Sequence, residues 1–257
     1  MIRIHELSRS FFDRQRGEIR AVDALSFECG RGEIMGLLGP NGAGKTTTLR
    51  MLATLLAPTS GTAELNGYDV VREPDKVRSS LGFLSSTTGL YPRLTPEEIL
   101  RFFGEINGLK QPELKRRIDE LIAEFSITDY ARVRCEKLSS GMKQKVSIAR
   151  ALIQDPPVLI FDEPTVGLDV IAAAQTMKTI LQYKQRGKCI LYSTHIMSEV
   201  EKLCDRIAII HKGKLQAIGT LDELRKQTGE RYLEDIFFSL MDPGEINGDA
   251  ATAEPQP

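Results

Sequence analysis

The chain has 257 residues, of which 41% are hydrophobic and 27% charged, and its net charge is −1. This balance is typical of a globular protein, and the length is enough for one large α/β domain or two small ones. The charge argues against a broad nucleic-acid-binding face, which needs an excess of Lys and Arg. No run approaches the ~18 apolar residues of a membrane span, and the charged N-terminus has no signal-peptide core. We therefore expect a soluble cytoplasmic protein that binds no nucleic acid, and any membrane role would have to come through a partner.

The first part of the chain predicts strands that lead into a glycine-rich loop. Residues 2–7 and 19–27 alternate in polarity, as antiparallel strands do, and the polar segment 11–17 between them is turn-like. Residues 34–38 form a short apolar run typical of a buried strand. A helix is expected from 45 to about 56, and residues 62–65 and the apolar run before residue 85 predict two further strands.

The middle of the chain predicts a helical subdomain over about residues 88–153. Thr95 and Glu98 form a capping box with Pro96 at the first helical position, which indicates a helix from 96 to about 106. A second helix is expected from Pro112, with apolar residues at helical spacing.

The last part alternates strands and helices. Apolar runs at 158–161, 189–192 and 207–210 are separated by helical patterns at about 170–185 and 196–204. This alternation predicts a parallel sheet with right-handed crossovers. We expect a single domain over residues 2–240 and a disordered tail over 241–257, whose Pro, Gly, Ala and Glu cannot form a core. The scattered cysteines, with no CxxC pair, predict buried reduced thiols and no metal site.

The glycine-rich loop matches the phosphate-binding pattern G-x-x-x-x-G-K-[ST], with a strand before it and a helix after it. Its glycines let backbone N–H groups turn toward phosphate oxygens, and the helix N-terminus adds its dipole. Lys45 can reach the β and γ phosphates, and Thr46 can ligate Mg²⁺. The predicted nucleotide-binding residues here are Gly39, Pro40, Asn41, Gly42, Ala43, Gly44, Lys45, Thr46 and Thr47.

Two carboxylates follow the apolar run 158–161. In a protein with a phosphate loop, a carboxylate on a second strand is the expected Mg²⁺ partner, and Asp162 fits that role. Glu163 is one residue further, so its side chain points differently and can polarise a water for attack on the γ-phosphate. The pair therefore favours an active ATPase.

The stretch LSSGMKQKVSIARAL (residues 138–152), with the phosphate loop upstream and FDEPTVGLD downstream, resembles the ATP-binding cassette (ABC) ATPases over residues 2 to about 240. The resemblance implies an α/β fold: a RecA-like P-loop NTPase core, an antiparallel β subdomain and a helical subdomain. It also implies ATP and Mg²⁺ as cofactors and a head-to-tail dimer with ATP between one phosphate loop and the partner's signature. Ser139, Ser140 and Gly141 would form that second anion site. Ser140 and Met142 depart from the LSGGQ pattern but leave the hydroxyl and the last glycine in place.

Further roles follow from the same resemblance. Asp169, in VGLD, is similar to the D-loop aspartate that crosses to the dimer partner. His195 is similar to the switch histidine that contacts the γ-phosphate. Phe11 matches the aromatic position that stacks on adenine, although Phe12 beside it leaves the choice open.

The segment LSSTTGLY (residues 84–91) is similar to the Q-loop, which joins the ATP site to the membrane partner. Ser86 stands where the family usually has a glutamine that reaches the metal and the attacking water. A serine is shorter, so we expect Ser86, or Thr87, to contact the metal through a water.

Several longer stretches, such as GPNGAGKTTTLRMLATLL and STHIMSEVEKLCDRIAIIHKGK, resemble the ATPase subunit of ABC-2-type exporters, nearest to the Na⁺-extrusion group. This implies an integral-membrane permease as a separate partner, a homo- or heterodimer of ATPase subunits, and a place at the cytoplasmic face of the membrane. Export of a drug, lipid or polysaccharide, import, a soluble ABC ATPase acting on ribosomes or DNA, and a regulator without turnover stay open as alternatives.

Overall fold

A computed structural model describes residues 1–15, 17–85 and 89–241. Within them, a four-stranded antiparallel sheet has the order β2-β1-β4-β5, and a six-stranded sheet has the order β10-β9-β3-β8-β7-β6. The strands of the first sheet are β1 (Ile2–Asp13), β2 (Gly17–Cys29), β4 (Ser60–Leu65) and β5 (Tyr68–Asp69). Those of the second are β3 (Ile34–Leu38), β6 (Leu81–Leu84), β7 (Val158–Asp162), β8 (Cys189–Thr194), β9 (Arg206–His211) and β10 (Lys214–Gly219).

The helices of the described ranges cover the six-stranded sheet on both faces and fill the segments between its strands. They are α1 (Lys45–Leu52), α2 (Pro74–Ser79), α3 (Pro96–Ile106), α4 (Glu113–Glu124), α5 (Ser140–Ala151), α6 (Val170–Gln185), α7 (Met197–Leu203), α8 (Leu221–Thr228) and α9 (Leu233–Ser239). No helix within these ranges is both long and apolar enough to span a membrane. The predicted α/β fold with a parallel sheet is confirmed.

The parallel part of the second sheet sets the position of the functional loops. β3 pairs in parallel with β8 and β9, and β7 pairs in parallel with β8 and β6, while β10 is antiparallel to β9. β3, β7 and β8 are buried along their whole length, which explains their continuous apolar runs. The carboxyl ends of β3, β8 and β7 therefore lie side by side at one edge.

The helical segment α3 to α5 shares its core with this sheet. Ile99, Leu100 and Val146 pack in one buried cluster with Phe161 and Tyr192 of the sheet. The three helices lie inside the range expected for the helical subdomain, whose bounds, 88 and 153, stay a prediction. The tail over 242–257 lies outside the described residues.

The structure corrects two expected boundaries. Residues 11–13 belong to β1, because Phe11, Phe12 and Asp13 pair with Ile19, Glu18 and Gly17 and extend the hairpin beyond the polar pattern. The first helix ends at Leu52 and not near residue 56, since Thr54 takes a left-handed backbone conformation with φ of 59°. All four cysteines are free thiols, as expected. Cys204 is half-buried, and the other three, Cys29, Cys135 and Cys189, are buried.

Thr95 caps α3 through the predicted capping box. Its hydroxyl accepts the Glu98 amide, and the Glu98 carboxylate accepts the Thr95 amide. We expect Thr95→Ala to lower the free energy of unfolding by about 1 kcal/mol, measured by urea unfolding. Thr179→Ala, which removes only a hydroxyl bonded to the Gln175 carbonyl within α6, is the matched control. Equal losses in the two variants would contradict the capping role.

Candidate functional site

The candidate site lies where β3, β8 and β7 end. In the register of the sheet Leu38 stands beside Thr194, and Asp162 beside Ser193. The loops that leave these strands carry the phosphate loop, the acidic pair and His195. Three segments far apart in sequence are therefore placed together by strand pairing.

The phosphate loop has the backbone that its glycines require. Gly44 has φ of 102° and precedes the first residue of α1, and a Cβ there would lie 2.4 Å from the Ala21 carbonyl oxygen. A Cβ on Gly39 would lie 2.3 Å from the Ile210 carbonyl oxygen. Only glycine fits at these two positions, and the loop opens directly into the N-terminus of α1.

Lys45 is held inside the loop. Its side chain is only 4% exposed, and its Nζ donates to the Gly39 oxygen at 2.6 Å and to the Pro40 oxygen at 3.1 Å. Burial lowers the pKa of Lys45, and the nearby carboxylates of Glu163 and Asp162 act against that fall. The ammonium is thus a positioned cation at the point where the loop can surround an anion.

Asp162 and Thr46 form a pair of hard oxygen ligands. The Thr46 hydroxyl donates to Asp162 Oδ2 at 3.1 Å, and Asp162 is fully buried. Its Oδ1 has no hydrogen-bond partner among the described residues. Burial raises the pKa of Asp162, while the nearby hydroxyls of Ser193 and Thr46 oppose that rise. A buried, unsatisfied carboxylate oxygen beside a threonine hydroxyl fits Mg²⁺, which prefers oxygen ligands and few protein groups.

Glu163 follows Asp162 in an unusual backbone conformation. Its φ of 51° lies in the left-handed region, and its amide donates to the Ser193 carbonyl oxygen at 2.9 Å. Such a conformation costs a non-glycine residue about 1–3 kcal/mol and is kept only where the surroundings demand it. Here it aims the carboxylate at the phosphate loop.

Two side chains meet one oxygen of Glu163. The Nζ of Lys45 lies 3.6 Å from Oε1, and the Nδ1 of His195 lies 3.1 Å from the same atom. A histidine and a lysine that orient one carboxylate next to a phosphate-binding loop form an arrangement suited to general acid–base chemistry.

The signature residues begin α5 at the surface. Ser139 is its N-cap and accepts the Met142 amide at 3.3 Å. Ser139 and Ser140 are exposed and Gly141 is half-buried. No hydrogen bond or ion pair in the described ranges joins these residues to the phosphate loop of the same chain. Ser139 and Ser140 are therefore accessible from solvent.

Asp169 and Phe11 have contacts within the chain. Asp169 caps α6, where its Oδ1 accepts the amides of Ile171 and Ala172 at 2.9 Å. The guanidinium of Arg9 lies 4.8 Å from the centre of the Phe11 ring, which is 40% exposed. Phe12 follows on the other face of β1 and is 82% exposed. Crossing by Asp169 and adenine stacking by Phe11 stay predictions.

A cavity of about 430 Å³ joins the acidic pair to the first turn of α5. Asp162 and Glu163 line one part, and Ser140, Lys143 and Gln144 line another. Ser85 and Gly89 also border it. Ser86, Thr87 and Thr88 lie outside the described residues, so the expected contact of Ser86 with the metal water stays a prediction.

Gln144 is a site residue that the sequence analysis did not identify. Its side-chain amide donates to the Pro164 carbonyl oxygen, which ties α5 to the loop that carries Glu163. A glutamine on an amphipathic helix normally faces solvent, so the sequence alone held no signal for this contact. The role of Ser193 also had no signal in the sequence, because it is the backbone oxygen of Ser193 that accepts the Glu163 amide.

Comparison with known proteins adds independent evidence. Residues 22–166, more than half of the chain, match the family model described as ABC transporter. The chain is 43% identical over 242 residues to the ABC transporter ATP-binding protein NatA of Bacillus subtilis, an alignment that covers 94% of this chain and 98% of that protein. It is 38% identical to the daunorubicin resistance ATP-binding protein DrrA3 of Streptomyces coeruleorubidus, over 88% of this chain and 71% of that one.

Solved structures agree with these relatives. A structure described as the ATP-binding subunit of an ABC transporter has a TM-score of 0.84 at 34% identity and covers 94% of this chain and 100% of its own. A dimeric ATP-binding cassette in a post-hydrolysis state, bound to ADP and Pi, has a TM-score of 0.78 at 24% identity, over 86% of this chain and 99% of that one. The second likeness concerns the fold alone.

The burial of Asp162 predicts a stability gain on removing its charge. Its raised pKa means that the folded chain binds this proton more tightly than the unfolded chain. The resulting stability is present below the ordinary Asp pKa of about 3.9 and is lost as pH rises through the raised pKa. Asp162→Asn should therefore have a higher free energy of unfolding than the parent in urea unfolding experiments. We expect a difference of about 1–3 kcal/mol at pH 8 and a smaller one near pH 4.

Asp69→Asn is the control, because it should change the free energy of unfolding in the opposite direction. Burial alone would raise the pKa of Asp69, but the amides of Arg72 and Val71 hold it below its usual value. This variant should be less stable than the parent at pH 8. Equal or lower stability of Asp162→Asn at that pH would show that Asp162 is not a destabilising buried charge.

Proposed function

The chain belongs to the ABC transporter family as an ATP-hydrolysing subunit of exporter type, and we propose that Glu163 is its general base. The supporting observation is the contact of one Glu163 oxygen with both His195 and Lys45 beside the phosphate loop. In the proposed step Glu163 accepts a proton from water as the water oxygen bonds to the γ-phosphorus. The bond from that phosphorus to the β-phosphate oxygen breaks, and ADP and inorganic phosphate leave.

The phosphates would lie against the backbone amides of residues 39–47, with the Lys45 ammonium on the β and γ groups. Thr46 and Asp162 would hold Mg²⁺, which when bound supplies positive charge to the phosphate oxygens. His195 orients Glu163 and is placed next to the position that the γ-phosphate would take. Phe11 would stack on adenine.

A second copy would complete each ATP site. Ser139, Ser140 and Gly141 lie at an exposed helix start and, among the described residues, form no hydrogen bond with their own phosphate loop, so we propose that they serve the loop of a partner. Three apolar residues near Asp169 support this interface: Val166, Val170 and Ile171 are 51%, 86% and 72% exposed. Apolar side chains this exposed at a helix start favour burial against another protein surface.

A groove of about 290 Å³ supplies a surface for a membrane subunit. Leu55, Leu81, Phe83, Phe103 and Arg150 are among its lining residues. Exposed apolar side chains continue this surface along α3, namely Phe102 and Ile106. Tyr91 stacks on Phe103 and meets Phe102 edge to face. We propose that a short amphipathic helix of the permease lies in this groove, which would hold the chain at the cytoplasmic face of the membrane.

For the cargo we propose Na⁺, on the motif resemblance described above and on similarity to NatA along nearly its whole length. No residue of this chain would touch the cargo, because the permease would form the path. Efflux of ²²Na⁺ from vesicles that hold both subunits and ATP tests this directly. ATP-dependent efflux of an amphipathic drug without Na⁺ movement would identify the alternative, an exporter of drug-resistance type.

Glu163→Gln should lower kcat for ATP by about 10²–10⁴-fold while ATP binding persists, because the base is lost and the fold is kept. With Mg-ATP the variant should accumulate as a dimer in size-exclusion chromatography. Glu201→Gln on the exposed face of α7 is the matched control and should keep the parental rate. Parental turnover in Glu163→Gln would remove Glu163 as the base.

Leu55→Glu should abolish co-purification with the membrane subunit, since it places a charge in the apolar groove, while the basal ATPase rate of the isolated chain is unchanged. Leu55 is 64% exposed, so its replacement costs the fold little. Val71→Glu, at a position 55% exposed and outside the groove, should co-purify normally. Retained binding by Leu55→Glu would place the partner elsewhere.

A further inference from the structure

A buried carboxylate lies behind the strand that carries His195. Glu199 is in the first turn of α7 and only 6% exposed. Its Oε2 accepts two hydroxyls of β8: Tyr192 OH at 2.7 Å and Thr194 Oγ1 at 3.1 Å. Both of these β8 residues are fully buried. In the described ranges no Lys, Arg or His forms an ion pair with Glu199.

Because Glu199 is buried, its carboxylate needs the hydrogen bonds from the Tyr192 and Thr194 hydroxyls. A buried carboxylate without a cation is costly unless hydrogen bonds satisfy it. The N-terminus of α7 adds favourable dipole charge, and the hydroxyls supply the remaining donors. Glu199 therefore fixes the side-chain positions of Tyr192 and Thr194.

Thr194 passes this constraint to the next residues. While its hydroxyl donates to Glu199, the same oxygen accepts the Ile196 amide at 3.0 Å. On the other side the Ser193 carbonyl oxygen accepts the Glu163 amide at 2.9 Å. His195 thus stands between two anchored neighbours, and its half-exposed ring has its Nδ1 3.1 Å from Glu163.

We propose that Glu199 is a positioning residue that acts through Thr194 to hold the His195 imidazole against Glu163. Glu199 itself is not proposed to contact ATP. The proposal rests on the proposed role of His195 and names a further residue on which that role depends. Loss of the Glu199–Thr194 contact should release the turn at residues 194–196, so that the His195 ring leaves Glu163.

Thr194→Val tests the proposal with the side-chain shape kept. It should lower kcat about tenfold and leave KM for ATP within about twofold, because orientation of a catalytic group is lost and substrate contacts are not. Thr194→Ser restores the hydroxyl and should restore kcat. Parental kcat in Thr194→Val, or failure of the serine variant to rescue, would overturn the proposal.

A second readout follows the histidine itself. The chain has three histidines, so the ring signals of His195 can be assigned by NMR with single His→Gln variants. Thr194→Val should move the His195 signals toward their positions in Glu163→Gln and leave those of His5 and His211 in place. Unmoved His195 signals would contradict the proposal, whatever the activity.

The matched variants Tyr192→Phe and Tyr183→Phe distinguish positioning of His195 from the general effect of losing a buried hydrogen bond. Tyr183 is equally buried and donates to Glu124 at 3.0 Å in another part of the chain. Only Tyr192→Phe should lower kcat and shift the His195 signals. Equal effects of the two variants would assign Glu199 a merely structural role. If His195→Ala itself keeps parental kcat, the proposed role of His195 fails, while the ring signals still test the positioning.

Discussion

The structure depends on the parallel pairing of β3, β8 and β7. These strands are buried on both faces, so their pairing is fixed by the core and by the ladder of backbone hydrogen bonds. Their carboxyl ends meet at one edge, and the chain places one functional loop at each end. Lys45, Glu163 and His195 meet there because of the strand order.

The acidic pair lies at one strand end but contacts two different sets of side chains. Asp162 is the last residue of β7 and faces Thr46, while Glu163 leaves the strand in a left-handed conformation and faces His195. The backbone change between them gives two adjacent carboxylates different partners, as the roles proposed for them as metal ligand and base require. The Ser193 carbonyl and the Glu163 amide hold this change in place, and Glu199 holds the same stretch of β8 from behind.

The sequence alone predicted the α/β fold, the phosphate loop and the roles proposed for Asp162, Glu163 and His195. The fold prediction is confirmed and the site roles stay predictions, which residue types could suggest because a glycine-rich loop and strand-end carboxylates have local requirements. The extent of β1 was missed, since Phe11 to Asp13 become strand only by pairing with residues 17–19. Gln144 and Glu199 were missed because their partners, Pro164 and β8, are chosen by packing and not by any local pattern.

We propose that ATP is hydrolysed between the phosphate loop of one copy and the signature of another. A mixture of two inactive variants distinguishes this arrangement from a site within one chain: Lys45→Ala, with an intact signature, and Ser139→Arg, with an intact phosphate loop. Each variant alone should lack ATPase activity and the mixture should recover it, because a mixed dimer holds one complete site. Full activity of Ser139→Arg alone, or no recovery in a mixture shown to contain mixed dimers, would contradict it.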